Sequence, residues 1–220
     1  YYRGEYHLYY QHFPYAPQWG TMHWGHAVSD DLIHWEEQPI ALYPDQPYEN
    51  GGGCFSGSAI EKDGKLYLMY TAVSKGHQQT QCVAVTEDCI HFTKLPENPL
   101  IGQCPLDPLS VHFRDPKVWR EQDGTYYAVI GNRTPDDSGA ILLYQSKDGL
   151  KWDYVRTLDA CHNQYGKMWE CPDFFPLDGR QVLLTSPQDM YPIGLEFHAG
   201  NNALCLLLSL IHISEPTRQE

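Results

Sequence analysis

Ser29-Asp30-Asp31-Leu32-Ile33-His34-Trp35 returns twice along the chain, as Thr86-Glu87-Asp88-Cys89-Ile90-His91-Phe92 and as Ser146-Lys147-Asp148-Gly149-Leu150-Lys151-Trp152. Each copy runs from a hydroxyl residue through an aspartate and a tight-turn position to an aliphatic residue and a final aromatic residue. The final aromatic residues are 57 and 60 residues apart. Recurrence at this spacing predicts a series of similar supersecondary units.

A second set of markers, short turns that contain glycine, interleaves with the first set. These turns are Arg3-Gly4, Asp63-Gly64, Asp123-Gly124 and Asp178-Gly179, and their glycines are 60, 60 and 55 residues apart. Such dipeptides are typical of β-hairpins. Each opens into a strand-like run, and the runs are Tyr6–Gln11, Leu66–Ala72, Tyr126–Ile130 and Val182–Ser186.

Two independent markers with a period near 60 residues predict an all-β fold, a β-propeller built of four-stranded blades. About three and a half blades fit into 220 residues. An all-β sandwich with chance recurrence of Asp-Gly turns is the alternative, but it does not account for the first marker. The composition of 16 Tyr, 6 Trp, 18 Gly and 16 Pro also favours strands broken by turns.

The net charge and the cysteine content indicate which partners and which cellular compartment suit the chain. A net charge of −13 argues against nucleic acid or an anionic membrane as a partner, whereas a neutral sugar is indifferent to it. The seven cysteines are odd in number and form no CxxC pair, which predicts free thiols in a reducing, cytoplasmic compartment. The chain begins at Tyr1 rather than Met, so we expect a fragment, and a missing signal peptide indicates nothing.

The repeat also predicts which residues share a site. Nine residues before the turn glycines lie Glu170, Asp115 and Phe55, the last beside Ser56. Equivalent positions on successive blades surround the central channel, so we expect Glu170 and Asp115 to lie together. The same count from Gly4 falls before Tyr1, where we expect a further polar group facing the channel.

The neighbours of the two acids predict different roles for them. In Trp169-Glu170-Cys171-Pro172 the apolar setting disfavours the charged form of the carboxyl group, which suits a proton donor. In Phe113-Arg114-Asp115-Pro116 the adjacent cation favours the ionised form. Two carboxyl groups of this kind cleave glycosidic bonds. The alternatives are a surface glutamate before a turn and an ordinary ion pair at the start of a turn.

These motifs resemble glycoside hydrolase family 32, and more narrowly its bacterial sucrose-6-phosphate hydrolases, also called invertases or β-fructofuranosidases. The resemblance covers residues 1 to about 205. The motifs, in chain order, are Tyr6-His7-Leu8-Tyr9-Tyr10-Gln11, Trp19-Gly20, Met22-His23-Trp24-Gly25-His26, Cys54-Phe55-Ser56-Gly57-Ser58, Phe113-Arg114-Asp115-Pro116 and Trp169-Glu170-Cys171-Pro172. The resemblance implies a five-bladed propeller followed by a β-sandwich, cleavage of β-D-fructofuranosides with retention, and no cofactor or metal.

The same resemblance implies a role for individual residues. Glu170 matches the general acid/base, and Asp115 matches the group that binds fructose hydroxyls in the transition state. The residues that match the lining of the fructose pocket are Gln11, Trp19, Phe55, Ser56 and Arg114. The family's nucleophile is the aspartate of a Trp-Met-Asn-Asp-Pro-Asn-Gly motif that these 220 residues lack. Its expected place coincides with the position before Tyr1, so we predict no turnover by this chain alone.

The implied partner is a small carbohydrate (sucrose, sucrose 6-phosphate or a fructan), with no nucleic acid and no membrane. The sequence leaves open a fructan hydrolase, a fructosyltransferase and a non-catalytic sugar-binding propeller. His23 and His26 are spaced like metal ligands, but no third ligand cluster accompanies them, so packing is favoured. Outside the motif context, Gln11 would be read as a strand end and Trp19 as a core residue.

The chain divides by pattern into residues 1–205, a partial catalytic propeller domain, and residues 206–220, a non-native tail. Residues 209–218 look like translated sequencing adapter. We therefore expect the last dozen or so residues to be poorly ordered or unpaired.

Overall fold

The computed structural model describes residues 1–208, and within them the regular structure is β-strand apart from one short 3₁₀ helix, Pro47–Glu49. The strands are β1 (Tyr6–His12), β2 (His23–Ser29), β3 (Glu36–Leu42), β4 (Gly53–Lys62), β5 (Lys65–Val73), β6 (Gln79–Thr86), β7 (Thr93–Lys94), β8 (Phe113–Arg120), β9 (Tyr126–Arg133), β10 (Gly139–Ser146), β11 (Asp153–Ala160), β12 (Met168–Leu177), β13 (Arg180–Gln188) and β14 (Leu204–Leu208). Residues 1–208 contain no helix with the length and apolarity of a membrane span.

The strands form four sheets in chain order, namely β1-β2-β3, β4-β5-β6-β7, β8-β9-β10-β11 and β12-β13-β14. The register is antiparallel throughout, and consecutive strands pair as hairpins. Two of the sheets have four strands and two have three, so the 14 described strands correspond to three and a half four-stranded units. The prediction of an all-β, partial β-propeller fold is confirmed. The chain divides into two compact units, residues 1–119 and 120–220, with the boundary inside β8.

The Ser/Thr-x-Asp repeats form the same hydrogen-bonded loop in every copy. In the first copy the amides of Asp31 and Leu32 donate to Ser29 Oγ, at 3.2 and 2.9 Å. The amides of Ile33 and His34 donate to Asp31 Oδ1, both at 2.8 Å. The amide and side chain of His34, with the amide of Ile33, hold the pKa of the Asp31 carboxyl well below its usual range.

The tight-turn position of each loop has the predicted left-handed backbone. Leu32, Cys89 and Gly149 have φ values of 65°, 60° and 72°. The three loops join β2 to β3, β6 to β7 and β10 to β11. Since the last two join the third and fourth strands of four-stranded sheets, the strands β1, β2 and β3 correspond to the second, third and fourth strands of such a sheet.

The predicted glycine turns are hairpins of two kinds. Asp63-Gly64 has φ values of 53° and 73°, and Asp178-Gly179 has 48° and 75°, as in two-residue type I′ loops. At Asp123-Gly124 only the glycine is left-handed, and its amide donates to Glu121 O at 2.9 Å. Asp123 Oδ1 accepts the Thr125 amide at 2.8 Å, which stabilises a three-residue loop instead.

The first unit has an apolar core to which β2, β4, β5 and β6 contribute, including the buried side chains of Trp24, Leu68 and Tyr70. A carboxylate, Glu49, is completely buried beside this core. It accepts from Tyr70 Oη at 2.5 Å and from Lys94 Nζ at 2.6 Å. Because both partners are in place, this charge is compensated, which is the condition under which buried charges are tolerated.

All seven cysteines lie within the described residues and are free thiols. Burial raises the pKa of the Cys54 thiol, and raises that of Cys82 to about 12. These two side chains therefore pack as small neutral groups in the core.

The end of the chain falls only partly within the described residues. Residues 206–208, the first of the predicted tail, belong to β14, which pairs with β13 from Thr185↔Leu204 to Gln181↔Leu208. The prediction for the last dozen residues concerns residues 209–220, which lie outside the described residues.

Candidate functional site

The three positions reached by the nine-residue count are structurally equivalent. Phe55, Asp115 and Glu170 are each the third residue of the first strand of their sheet, in β4, β8 and β12. The repeat in the sequence therefore corresponds to a repeat in secondary structure, with Asp115 in the first unit and Glu170 in the second.

The pairing of β4 and of β12 is irregular at this position. Phe55 pairs with Thr71 and Gly57 with Tyr70, so Ser56 is an extra residue in β4. In β12 the irregularity follows Glu170 and spans Cys171, which has a φ of 46°. Bulges of this kind re-aim side chains and are common beside active sites.

Asp115 in β8 also departs from extended geometry, with a φ of 64°. Its side chain and that of Arg114 are buried, each 7% exposed. The Asp115 amide donates to Thr71 Oγ1 at 3.0 Å, and Arg114 Nη1 donates to Gln79 Oε1 at 3.3 Å. The predicted pair of cation and carboxylate thus occupies a rigidly hydrogen-bonded stretch of strand.

Gln11, Trp19 and Phe55 lie together in the first unit. Gln11 and Trp19 line a cavity of about 660 Å³, together with His12, Phe13, Tyr15 and other residues of the loop after β1. The Trp19 and Phe55 rings meet edge to face, with centroids 5.5 Å apart. Trp19 is 71% exposed, so the alternative that it is a core residue is wrong. An open cavity with aromatic walls and a few polar groups is a suitable binding site for a small molecule.

Side-chain hydrogen bonds to backbone carbonyl groups join β1 and β2 to β4 beside this cavity. Gln11 Nε2 donates to Cys54 O at 3.0 Å, and Trp24 Nε1 donates to Phe55 O at 2.9 Å. Gln11 lies next to the end of β1, as the alternative sequence interpretation expects, and its side-chain amide also bridges to β4.

Glu170 is half-buried, and its neighbour Trp169 is 1% exposed. The Trp169 indole N–H donates to Tyr165 O at 2.8 Å, and its ring leaves no room for a side chain at Gly139, where a Cβ would lie 2.3 Å from Cδ1. Thr185 Oγ1 donates to Glu170 O at 2.9 Å. The main chain at Glu170 is therefore anchored on both sides.

One part of the predicted setting of Glu170 is wrong. Cys171 is exposed, so it is not part of a buried apolar setting. The reason is that successive residues of a strand point to opposite faces, and the bulge turns Cys171 further away from a regular position.

The two histidines with ligand-like spacing make packing contacts. His23 Nδ1 lies 2.9 Å from Thr21 O, and His26 Nε2 lies 3.0 Å from His7 Nδ1. The His26 ring stacks on Tyr9 at 4.5 Å, and burial lowers the pKa of His26 to about 4. Among residues 1–208 no group of three or more His, Cys, Asp or Glu side chains is placed to hold a metal ion.

Sequence reasoning missed the side chains that anchor the two acids, namely Thr71, Gln79, Gln81 and Thr185. All four are buried polar residues. A signal that could have found two of them is the polar run Gln79-Thr80-Gln81 at the start of β6, because a strand buried on both faces is normally apolar.

Successive antiparallel sheets, with Phe55, Asp115 and Glu170 at the same position of three first strands, define a partial β-propeller. The chain belongs to the glycosyl hydrolases family 32, since the model of that family's N-terminal domain matches residues 1–207.

Relatives agree with this membership. A sucrose-6-phosphate hydrolase of Zymomonas mobilis is 44% identical over 214 residues, which cover 88% of this chain and 40% of that protein. The structure of a Bombyx mori β-fructofuranosidase in complex with sucrose is 36% identical with a TM-score of 0.86, covering 96% of this chain and 44% of the other. Fructan 1-exohydrolase IIa of Cichorium intybus is 33% identical with a TM-score of 0.75, covering 84% and 38%. The chain spans about two fifths of the length of the curated relatives it matches.

Proposed function

We propose that the protein to which this chain belongs hydrolyses terminal β-D-fructofuranoside bonds, with sucrose or sucrose 6-phosphate as substrate. The observation that carries this proposal is family membership over residues 1–207 combined with 44% identity to a sucrose-6-phosphate hydrolase. The occurrence of Asp115 and Glu170 at equivalent strand positions supports it, because glycosidases work with paired carboxyl groups.

In this mechanism an aspartate nucleophile attacks the anomeric carbon of fructose while Glu170 gives its proton to the departing glucosyl oxygen. The product is a fructosyl-enzyme ester. Water then attacks the same carbon, the ionised Glu170 takes up the water's proton, and the ester bond breaks. Two inversions give net retention. The nucleophile motif is absent from these 220 residues, so we propose that it lies outside them.

Asp115 binds fructose hydroxyls that gain partial charge in the transition state. Its main chain is held by Thr71, and Arg114 beside it is fixed by Gln79. A carboxylate that does not need to reorganise stabilises developing charge most effectively.

The remaining pocket residues bind the sugar around these groups. Gln11 and Ser56 supply polar contacts, and Trp19 and Phe55 supply the apolar wall. The edge-to-face contact of the two rings supports this role, since it brings Phe55 against Trp19, which lines the cavity.

The partner is thus a small carbohydrate, and we propose a cytoplasmic location and no cofactor. Seven free thiols support a reducing compartment. A net charge of −13 is unfavourable for nucleic acid or an anionic membrane.

A fructan hydrolase is the second candidate, and the similarity to fructan 1-exohydrolase IIa favours it over a fructosyltransferase. Both activities use the same fructose pocket, so they differ in the sugar that occupies the leaving-group side.

The test is an assay of the full-length protein and of the 220-residue chain on sucrose, sucrose 6-phosphate and inulin. We expect the full-length protein to release fructose from sucrose or its 6-phosphate, and the 220-residue chain to release none because it lacks the nucleophile. Turnover by the 220-residue chain would refute the assignment of the nucleophile. Sugar binding without turnover by the full-length protein would indicate a non-catalytic binding protein. Faster hydrolysis of inulin than of sucrose would indicate a fructan hydrolase.

A further inference from the structure

A chain of buried polar side chains runs from β5 and β6 to the strand that carries Asp115. Thr71 and Gln81 are completely buried, and Gln79 is 6% exposed. All three lie in the first unit, on strands whose other buried residues are mostly apolar. Buried polar groups of this kind are costly unless every one is hydrogen-bonded, so their contacts indicate what they are for.

Their hydrogen bonds converge on three consecutive residues of β8. Thr71 Oγ1 accepts the Asp115 amide at 3.0 Å and donates to Gln81 Oε1 at 2.7 Å. Gln81 Nε2 donates to Phe113 O at 2.8 Å.

Gln79, which lies two residues before Gln81 on β6, also bonds to this part of β8. Its Oε1 accepts the Phe113 amide at 2.8 Å and Arg114 Nη1 at 3.3 Å. Main-chain or side-chain atoms of Phe113, Arg114 and Asp115 are thus all bonded to this side-chain network.

The backbone at Asp115 explains why so many bonds converge here. A φ of 64° lies in the left-handed region, which residues with a side chain adopt only rarely. Such a conformation persists only when its surroundings hold it in place. The bond from the Asp115 amide to Thr71 Oγ1 is a direct restraint on that residue's φ.

We propose that Thr71, Gln79 and Gln81 are positioning residues that fix Arg114 and Asp115 in the geometry needed to bind the fructosyl group. This inference rests on the proposed function, in which Asp115 contacts the sugar. Because the three side chains are buried, we expect them to act through Arg114 and Asp115 and not by direct contact with the sugar. Thr71 is the central member, since its hydroxyl both receives the Asp115 amide and orients Gln81.

The experiment compares three variants of the full-length protein. Thr71→Val keeps the shape and removes the hydroxyl, whereas Thr71→Ser keeps the hydroxyl. Thr80→Val is the matched control, because Thr80 is a buried threonine of the same sheet whose hydroxyl meets Cys82 Sγ at 3.9 Å rather than β8.

For sucrose hydrolysis we expect Thr71→Val to lower kcat about 100-fold, the loss typical of a catalytic group misplaced by about 1 Å. KM should change much less, because Asp115 acts in the transition state. Thr71→Ser should stay within about 5-fold of the wild type and Thr80→Val should match it. Hydrogen exchange of the Asp115 amide should be faster in Thr71→Val alone.

Two results would overturn the inference. The first is a Thr71→Val variant whose kcat and Asp115 amide exchange rate both equal those of the wild type. The second is a loss of kcat that is equally large in Thr71→Val and in Thr80→Val. If the wild type itself cleaves no fructoside, the proposed function fails. The exchange of the Asp115 amide then still decides whether Thr71 holds this backbone.

Discussion

Glu170→Gln is expected to lower kcat for sucrose by about 10³-fold in the full-length protein, within the range that general acid–base catalysis contributes. Glutamine keeps the size and the hydrogen-bonding reach of glutamate but has no proton to transfer. The loss should depend on the leaving group, because the fluoride ion can leave fructosyl fluoride without being protonated, whereas the glucosyl oxygen of sucrose needs a proton. For the fluoride we expect a smaller loss in the fructosylation step, measured as the first-turnover rate of fluoride release.

Glu196→Gln is the matched control, since Glu196 is an exposed glutamate of the same unit, and it should keep wild-type rates. Equal losses on sucrose and on the fluoride would show that Glu170 is not the proton donor. So would a loss below about 10-fold on sucrose.

Gly57→Ala is expected to destabilise the protein by about 3 kcal/mol or more, the upper end of the range for overpacked sites. A Cβ at Gly57 would lie 1.9 Å from Met69 O and 2.8 Å from Tyr70 Cα. These are backbone atoms of the paired strand β5, so they cannot move aside without opening the β4–β5 ladder. The same distortion would displace Phe55 and Ser56, so sugar binding should weaken as well.

Thermal unfolding measures this effect, with Gly76→Ala as the control. Gly76 is exposed, and a Cβ there would meet no atom within 4 Å, so we expect a change below about 0.5 kcal/mol. Equal melting temperatures for Gly57→Ala and the wild type would contradict the packing described for the bulge in β4.

Much of the local structure could be predicted because it is encoded within a few residues. The loop around Asp31 needs only a hydroxyl, a carboxylate and four nearby amides, all within six residues. The turn at Asp63-Gly64 likewise needs only residues that tolerate positive φ. A recurrence of such local signals was enough to predict a partial β-propeller of about three and a half blades.

The anchoring of the site could not be predicted, because its partners are distant in sequence. Thr71 and Asp115 are 44 residues apart, and Gln79 and Phe113 are 34 apart. A single sequence shows that Gln79 and Gln81 are polar, but it does not show which backbone groups they meet. The exposure of Cys171 was missed for a related reason, since the bulge in β12 changes which face each side chain takes.

The central claim is that Glu170 and Asp115 act on one fructosyl group, and a crystal structure of the full-length Glu170→Gln variant soaked with sucrose tests it most directly. The account predicts that the residue 170 side chain lies within hydrogen-bond distance of the glycosidic oxygen, while the Asp115 carboxylate contacts fructose hydroxyls of the same molecule. Sucrose bound away from either side chain, or the two side chains too far apart to reach one fructose ring, would contradict it.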